Sequence, residues 1–158
     1  MHEVFLGLGS NLGEREALLL RAIEEIEKLV GPIVARSAFI ETEPWGFESE
    51  HRFLNAVVRC QTDLEPLQVL DCTQQIERVL GKREEHHTLR IHQPVYFDRP
   101  VDIDVLLYDC MTIHEPRLTV PHPLMRERDF VMKPLLSLLI REGDEKYLQL
   151  IEARGYDE

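Results

Sequence analysis

The sequence predicts a single α+β domain built on an antiparallel sheet. Two observations carry this prediction: apolar runs of strand length, and two longer runs between them whose apolar residues recur at helical spacing. The predicted strands cover residues 4–8, 33–40, 53–62 and 101–108, and the predicted helices cover 18–30 and 66–80. This β-α-β-β-α-β order is the ferredoxin-like arrangement, in which helices pack on an antiparallel sheet.

The first strand and the first helix are predicted from a change in hydrophobic period. The apolar run 4–8 ends at Gly9-Ser10-Asn11, where we expect a turn. Asn11 followed by Glu14 resembles a capping box, so a helix is expected to start there. Gly31-Pro32 is expected to end that helix.

The second half of the chain repeats these signals and then extends the fold. Pro66 is expected to open the second helix and Gly81 to end it. Beyond the fourth strand we expect C-terminal additions: a short strand pair within 111–120, a helical region at 124–140 divided at Pro134, and a short helix at 146–154.

Composition and charge restrict the class of protein. The 158 residues are expected to form one domain, 1–158, and the net charge of −11 argues against non-specific binding to nucleic acid or anionic membranes. Cys60, Cys72 and Cys110 stand in no metal-ligand spacing, which indicates reduced thiols. The sequence shows neither an apolar stretch of membrane-span length nor a signal-peptide pattern at its start. We therefore expect a soluble, cytoplasmic protein.

The most informative feature is Asp102-Ile103-Asp104 within the apolar run 101–107. Alternate residues of a strand share a face about 7 Å apart, so the two carboxylates are expected to point the same way. Two unpaired anions would be costly to bury, so an arginine or a divalent cation is expected opposite them. The first alternative pairs the carboxylates with Arg99 at a solvated edge. The second makes this a phosphate-handling site, because Mg²⁺ prefers one or two carboxylates together with phosphates and water.

Two other patterns have ordinary interpretations. Gly7-Leu8-Gly9-Ser10-Asn11 has Leu12 where a dinucleotide-binding fingerprint needs its third glycine, and it is no Walker motif, so a tight turn capping a helix is favoured. The histidines of the polar loop lack a cysteine or carboxylate that would complete a zinc-like spacing, so solvated side chains are favoured over a metal cluster. These histidines are His86, His87 and His92.

Two further groups indicate binding of an anion and of a flat ring. Residues 117–123 combine a basic residue, a hydroxyl and an imidazole between stiffening prolines, which favours a rigid anion site over a solvated basic helix face. Flat heterocycles are held by aromatic stacking plus a few polar groups. Phe53 with the neighbouring Asn55 could supply both, although each aromatic residue alone is more typical of a core.

Taken in order, a set of motifs carries a family resemblance. The set comprises Gly9-Ser10-Asn11-Leu12-Gly13, Thr42 with Pro44-Trp45-Gly46, Phe53-Leu54-Asn55-Ala56, Thr73-Gln74 with Ile76-Glu77, Arg99 before Asp102-Ile103-Asp104, the segment 117–123, and Arg128, Phe130 and Pro134-Leu135. It resembles the 6-hydroxymethyl-7,8-dihydropterin pyrophosphokinase family of folate biosynthesis, over nearly the whole chain.

The resemblance implies transfer of pyrophosphate from ATP to the hydroxymethyl oxygen of the pterin, with release of AMP. It implies a catalytic set of Asp102, Asp104 and Arg99, in which the two aspartates hold two Mg²⁺ ions. The implied nucleotide-site residues are Gln74, Glu77, Arg117, Thr119, His122 and Arg128. The implied pterin-site residues are Thr42, Trp45, Phe53, Asn55 and Phe130, with Phe53 and Phe130 on either side of the ring.

The chain departs from the family pattern after Gly81, where the loop is longer and ends in Tyr96-Phe97-Asp98-Arg99. The pattern leaves open whether Tyr96 or Phe97 covers the pterin. It also leaves open which basic residue closes over the triphosphate, among Lys82, Arg83 and Arg90.

Three functions are compatible with these residues. The first is the pterin pyrophosphokinase, acting on small molecules and expected to be a monomer. The second is a non-catalytic ligand-binding module in which the aspartates pair with Arg99. The third is a Mg²⁺-dependent nuclease, which the net charge of −11 disfavours.

Overall fold

The structure, a computed structural model, describes residues 1–43, 52–81 and 100–156, with side chains described up to residue 152. Its elements confirm the predicted order of strands and helices and the C-terminal additions. In chain order they are β1 (His2–Ser10), α1 (Arg15–Leu29), β2 (Ile33–Arg36), β3 (Ile40–Thr42), β4 (Phe53–Thr62), α2 (Pro66–Leu80), β5 (Asp102–Tyr108), β6 (Ile113–Glu115), β7 (Leu118–Val120), a 3-10 turn (Met125–Glu127), α3 (Asp129–Glu142) and α4 (Glu145–Tyr156).

The main sheet has the ferredoxin-like strand order. Its order is β2-β4-β1-β5, β3 also pairs with β4, and every pairing is antiparallel. Strand β1 lies in the middle because it is apolar on both faces, with Val4, Phe5 and Leu6 fully buried. Strands β6 and β7 form a separate two-stranded hairpin. The sheet therefore leaves β5, the strand with the two aspartates, at an edge.

The sheet separates two apolar cores. Val4, Leu6 and Leu8 of β1 pack with the buried faces of α1 and α2, whereas Phe5 packs with α3 and α4. Val101, Ile103 and Val105 belong to the α1/α2 core. Because side chains alternate along a strand, Asp102 and Asp104 point to the opposite face, the one that α3 covers. The predicted separation of the aspartates from the apolar face is confirmed.

A buried ionic network fixes the turn between α3 and α4 to the sheet. The Arg59 guanidinium, 10% exposed, pairs with Glu3 at 2.7 Å and with Asp144. The Tyr147 hydroxyl donates to the other oxygen of Glu3 at 2.7 Å. A pair this buried costs stability when one partner is removed, because the other charge stays desolvated. This network holds the far end of α3 in place, so that the start of α3 is positioned over β5.

Three local predictions are wrong. The predicted strand 33–40 is broken in two, because the Ser37 hydroxyl, 2.9 Å from the Val57 nitrogen, accepts the ladder bond that a strand carbonyl would otherwise take. Asn11 caps no helix: α1 begins at Arg15, and four residues separate its start from the end of β1.

The third wrong prediction concerns Pro134, which lies inside a continuous α3. Proline removes one helical hydrogen bond, but Pro134 is buried in the helix face that packs on the sheet. The helical region is divided instead at Arg128, between the 3-10 turn and α3. Within the described ranges, no helix combines the length and the apolar character needed to span a bilayer.

Candidate active site

The two aspartates face a strip of β1 that carries no side chains. The register pairs Asp102 with Gly9 and Asp104 with Gly7. On the other side of β1, Gly9 pairs with Asn55 of β4. Asp102, Gly9 and Asn55 therefore form one line across three strands, which we call the cross-strand row. Neighbouring strands lie about 4.8 Å apart, so the Cα atoms at its two ends are about 10 Å apart.

Asp104 lies beside a buried arginine. The Nη1 atom of Arg128 is 3.5 Å from Asp104 Oδ2, and the Arg128 side chain is only 7% exposed. The same guanidinium lies over the Phe130 ring, 5.7 Å from its centroid. Arg128 is the residue before α3, and its carbonyl accepts the first helical bonds from Val131 and Met132. The start of α3 thus connects a predicted metal ligand to a predicted pterin-stacking ring.

Glu77 contacts β5 through the backbone. Its Oε2 atom accepts the Ile103 N–H at 2.7 Å, midway between the two aspartates. This N–H faces away from β1, so the α2 side chain supplies the hydrogen bond that an edge strand lacks. Glu77 was predicted to line the nucleotide site, and in this structure it supports the strand that carries the carboxylates.

His122 is held as a neutral imidazole. It follows the cis Val120–Pro121 peptide bond, and its Nδ1 accepts the Leu124 N–H at 3.2 Å. Its Nε2 therefore carries the proton and lies 4.0 Å from Asp104 Oδ1. Burial, reinforced by the charge of Arg128, lowers the pKa of His122 to about 4, although Asp102 opposes the shift. Protonation of His122 at Nδ1 would also break the hydrogen bond from the Leu124 N–H, and this cost lowers the pKa of His122 as well.

This neutral histidine predicts acid sensitivity of the metal-free protein. The pKa of His122 falls from 6.5 to about 4 on folding, so between these values the unfolded state binds more protons. The free energy of unfolding is therefore highest above the pKa that His122 has in the unfolded state. It decreases as the pH falls toward the pKa that His122 has in the folded state. The expected loss from this residue is about 2 kcal/mol between about pH 7 and pH 5.

Urea unfolding at several pH values would measure this loss. His122→Gln should flatten the pH dependence in this range, whereas His114→Gln, at an exposed position of β6, serves as the matched control. If the free energy of unfolding changed with pH to the same extent in wild type and in His122→Gln, the lowered pKa of His122 would be contradicted.

The predicted pterin residues meet at the other end of the cross-strand row. Asn55 is 4% exposed, and its Nδ2 donates to the Thr42 hydroxyl at 2.7 Å. Phe53 precedes it on the same face of β4 and pairs with Thr42 of β3. A Cβ atom at Gly9 would lie 3.4 Å from the Phe53 ring, so this ring borders the row. Phe130, half-buried, starts α3 beside Arg128. The sandwich of Phe53 and Phe130 around a ring stays a prediction.

The remaining nucleotide-site residues form a group on α2 and β7. Arg117 donates to Gln74 at 3.2 Å and to Asp71 at 2.6 Å. Gln74 lies one turn from Glu77, on the same side of α2, which places this group next to β5. Thr119 lies half-buried in β7, opposite His114. The contact with Asp71 could not be predicted, because an exposed helix carboxylate has no distinctive pattern.

Several predicted residues lie outside the described ranges. They are Arg99, Trp45, Lys82, Arg83, Arg90, Tyr96, Phe97 and the histidines His86, His87 and His92. The interpretation of 7–11 as a helix-capping turn is wrong, because Gly7 and Gly9 are interior residues of β1. Their i, i+2 spacing within an apolar run is the signal that could have shown this, since a strand glycine often marks a close approach of backbone and ligand.

The two aspartates fit an open Mg²⁺ site better than a metal site that is closed by protein ligands alone. Within residues 1–43, 52–81 and 100–156, no group of three or more His, Cys, Asp or Glu side chains could enclose a metal ion. Two half-buried carboxylates on one face match an ion that takes its remaining ligands from water and phosphate. Asp102 and Asp104 are therefore the residues that could hold it.

Fold and site together define a class: a nucleotide-dependent transferase on a ferredoxin-like sheet, with a carboxylate pair near a buried amide and two aromatic side chains. The family model for 7,8-dihydro-6-hydroxymethylpterin-pyrophosphokinase (HPPK) matches residues 5–140. The chain belongs to this family.

Curated relatives carry the corresponding name, 2-amino-4-hydroxy-6-hydroxymethyldihydropteridine pyrophosphokinase. One from Porphyromonas gingivalis is 50% identical over 133 residues, which covers 84% of this chain and 87% of the relative. One from Aquifex aeolicus is 38% identical over 138 residues, covering 87% and 81%. A crystal structure of Plasmodium falciparum HPPK-DHPS superposes with a TM-score of 0.67 and 18% identity, over 87% of this chain and 40% of that one. At that identity the likeness shows the fold alone.

Proposed function

We propose that this chain transfers pyrophosphate from ATP to the hydroxymethyl group of 6-hydroxymethyl-7,8-dihydropterin, giving AMP and the pterin diphosphate of folate biosynthesis. Family membership supports the reaction. The observation that supports it in the structure is the cross-strand row, which has the Asp102 carboxylate at one end and the buried Asn55 amide at the other. A span of about 10 Å suits a flat bicyclic ring whose reactive arm reaches a phosphate.

At the acidic end, Asp102 and Asp104 would hold Mg²⁺, with two ions expected. When bound, Mg²⁺ would neutralise charge on the phosphate oxygens and polarise the transferred phosphoryl group. Asp102 and Asp104 contribute a fixed pair of oxygens, positioned by the rigid backbone of β5. Catalysis of this kind is mostly positioning and electrostatic stabilisation.

Around the acidic end, three side chains would bind the nucleotide. Neutral His122 presents an Nε2–H that can donate to a phosphate oxygen at neutral pH. Arg128, already 3.5 Å from Asp104, balances the carboxylate charge. Arg117, exposed beside Gln74, can extend to the triphosphate. Thr119 and the catalytic Arg99 complete the proposed set.

At the other end, the pterin would be recognised by an amide and held by stacking. Asn55 donates to Thr42 through Nδ2, which leaves its Oδ1 on the Gly9 side of the amide. That oxygen can accept a hydrogen bond from a ring N–H or amino group. Phe53 and Phe130 would stack on the ring, and Trp45 would hold the pterin largely through its backbone.

Product analysis tests the proposal. The protein is incubated with ATP, Mg²⁺ and 6-hydroxymethyl-7,8-dihydropterin, and the nucleotides are resolved by chromatography. We expect AMP that forms only when the pterin and Mg²⁺ are both present. ADP in place of AMP would indicate a different phosphotransferase, and pterin binding without turnover would favour a ligand-binding module.

We further propose that residues 1–158 act as one catalytic domain, as a monomer in the cytoplasm. The sheet with helices on both faces supports a single folding unit, since both cores share the same strands. Light scattering coupled to gel filtration should give the mass of one chain, 18.5 kDa. A mass of twice this value would exclude the monomer.

A further inference from the structure

Arg15, the first residue of α1, joins that helix to β3 and β4. Its Nη1 atom donates to the Arg52 carbonyl at 2.8 Å, and its Nη2 atom donates to Glu41 Oε2 at 2.6 Å. Glu41 belongs to β3, and Arg52 directly precedes β4. The Arg15 side chain is 31% exposed, so its guanidinium lies between the helix and the two strands instead of extending into solvent. One side chain therefore fixes the start of α1 to both strands.

The Glu41 carboxylate also contacts a second arginine. Its Oε1 atom lies 3.4 Å from Arg52 Nη1, and Arg52 Nε lies 3.3 Å from Glu43 Oε1. The hydrogen bond from Arg15 and its charge lower the pKa of Glu41, so this carboxylate is ionised at neutral pH. Single surface ion pairs contribute little to stability, whereas several charges that share partners can fix a local geometry. We call Arg15, Glu41, Glu43 and Arg52 the β3–β4 clamp.

Strand β3 needs such support because it is short. It has three residues, Ile40–Thr42, and its register with β4 comprises three residue pairs. Short two-stranded pairings are marginally stable in water unless other groups hold them. The position of β3 matters for the site, because the Thr42 hydroxyl accepts the Asn55 Nδ2–H at 2.7 Å. A displacement of β3 along β4 would break this bond and release the Asn55 amide.

The clamp and the predicted pterin residues lie on opposite faces of the β3–β4 pair. Leu54, which pairs with Glu41, packs on the α1/α2 core. Because side chains alternate along a strand, Asn55 points to the other face, where it meets Thr42. Arg15 starts α1, the helix on the first face. The route from Arg15 to the site therefore runs through the strands that it holds, and not through contact with a ring bound beside Asn55.

We propose that Arg15 is a positioning residue for the pterin site. By holding Glu41 and the Arg52 carbonyl, it sets the position of β3 on β4 and so keeps Thr42 against Asn55. The inference rests on the proposed function and extends it to a residue on the opposite face of the sheet. Without Arg15, β3 shifts, the Asn55 amide loses its fixed orientation, and the pterin binds less tightly. The aspartates on β5, on the far side of β1, keep their positions.

Calorimetry on Arg15→Ala tests the proposal, with Arg21→Ala, at an exposed position of the same helix, as the matched control. The probe 6-hydroxymethylpterin is titrated into protein saturated with a non-hydrolysable ATP analogue and Mg²⁺, and the analogue is titrated separately. In Arg15→Ala we expect the affinity for the pterin to fall about three- to tenfold, since partly exposed ion pairs contribute modestly. The affinity for the analogue should stay near that of wild type. Arg15→Lys keeps the charge without the planar fork, so its affinity for the pterin should be intermediate.

Two calorimetric results would overturn the inference. One is a pterin affinity in Arg15→Ala equal to that of wild type, or a fall of the same size in Arg21→Ala. The other is an equal loss of affinity for the ATP analogue in Arg15→Ala, because that would indicate a general loss of structure instead of a shift of β3.

A spectroscopic readout on the free protein requires neither substrate. The Asn55 side-chain amide donates to Thr42, so its protons should exchange slowly with water in wild type and in Arg21→Ala, and faster in Arg15→Ala. Glu41→Gln removes the charge and keeps an acceptor, so it should have a smaller effect in the same direction. This variant covers the case in which Arg15→Ala does not fold.

Unchanged exchange of the Asn55 amide protons in every folded variant of the clamp would overturn the inference. Failure of the proposed function gives a different result. Wild type would then form no AMP in the product assay, whereas the Asn55 amide would still respond to the loss of Arg15.

Discussion

Replacing Asp104 with asparagine is expected to lower the rate of AMP formation about a thousandfold, which corresponds to roughly 4 kcal/mol of transition-state stabilisation. The substitution keeps the shape of the side chain and removes its negative charge. Asp104 lies 3.5 Å from Arg128 and 4.0 Å from His122, so the loss of its charge affects the acidic end of the site. The rate would be measured by single-turnover chromatography of AMP, which isolates the chemical step from product release.

A second readout separates metal binding from misfolding. Binding of a non-hydrolysable ATP analogue should be strengthened by Mg²⁺ in wild type and much less in Asp104→Asn. The variant also removes the negative charge 3.5 Å from the buried Arg128 guanidinium, so a small fall in melting temperature is expected. Glu115→Gln, which removes a carboxylate from an exposed position of β6, is the control for charge alone. Wild-type turnover in Asp104→Asn would refute the metal assignment.

Glu77→Ala is expected to lower turnover about 10- to 100-fold, the range found when a residue that supports metal ligands is removed. The physical reason is the 2.7 Å bond from Ile103 N–H to Glu77. Without it, the edge strand β5 loses its support between Asp102 and Asp104, and the two carboxylates lose their fixed separation. Because Glu77 is half-buried, water can replace part of the bond, which keeps the effect below that of Asp104→Asn.

The conservative variant distinguishes positioning from direct nucleotide contact. Glu77→Gln keeps an oxygen acceptor for Ile103, so it should restore most of the activity that Glu77→Ala loses. Hydrogen exchange at the Ile103 amide should be fast in the alanine variant and slow in both wild type and the glutamine variant. Gln75→Ala, on the exposed side of α2, is the control. An unchanged Ile103 exchange rate in Glu77→Ala would exclude the positioning role.

Much of the fold could be predicted because its signals are local. Pro66 and Gly81 bound α2 as expected, since proline fits the first helical turn and glycine commonly follows the last. The placement of the two aspartates on the face of β5 opposite its apolar residues followed from the alternation of side chains along a strand. The break between β2 and β3 could not be predicted, because it depends on a hydrogen bond from Val57, twenty residues away, to the Ser37 hydroxyl.

The candidate site was predictable as a set of residue types and only partly as an arrangement. Asp102 and Asp104 stand out by their position in an apolar run. In contrast, Gly9 was interpreted as part of a turn, because a glycine reveals its role only when the neighbouring strands are known. The register that places it between Asp102 and Asn55 joins residues more than forty positions apart.

The sequence by itself determined the family, the order of elements and the chemical groups available for the reaction, because these depend on residue identity and on neighbours within a few positions. Only the tertiary structure decided that Glu77 supports β5, that His122 is neutral, and that Asn55 and the aspartates face each other across a bare strip of β1. Those properties arise from burial and from contacts between distant segments, which the linear order of residues does not encode locally.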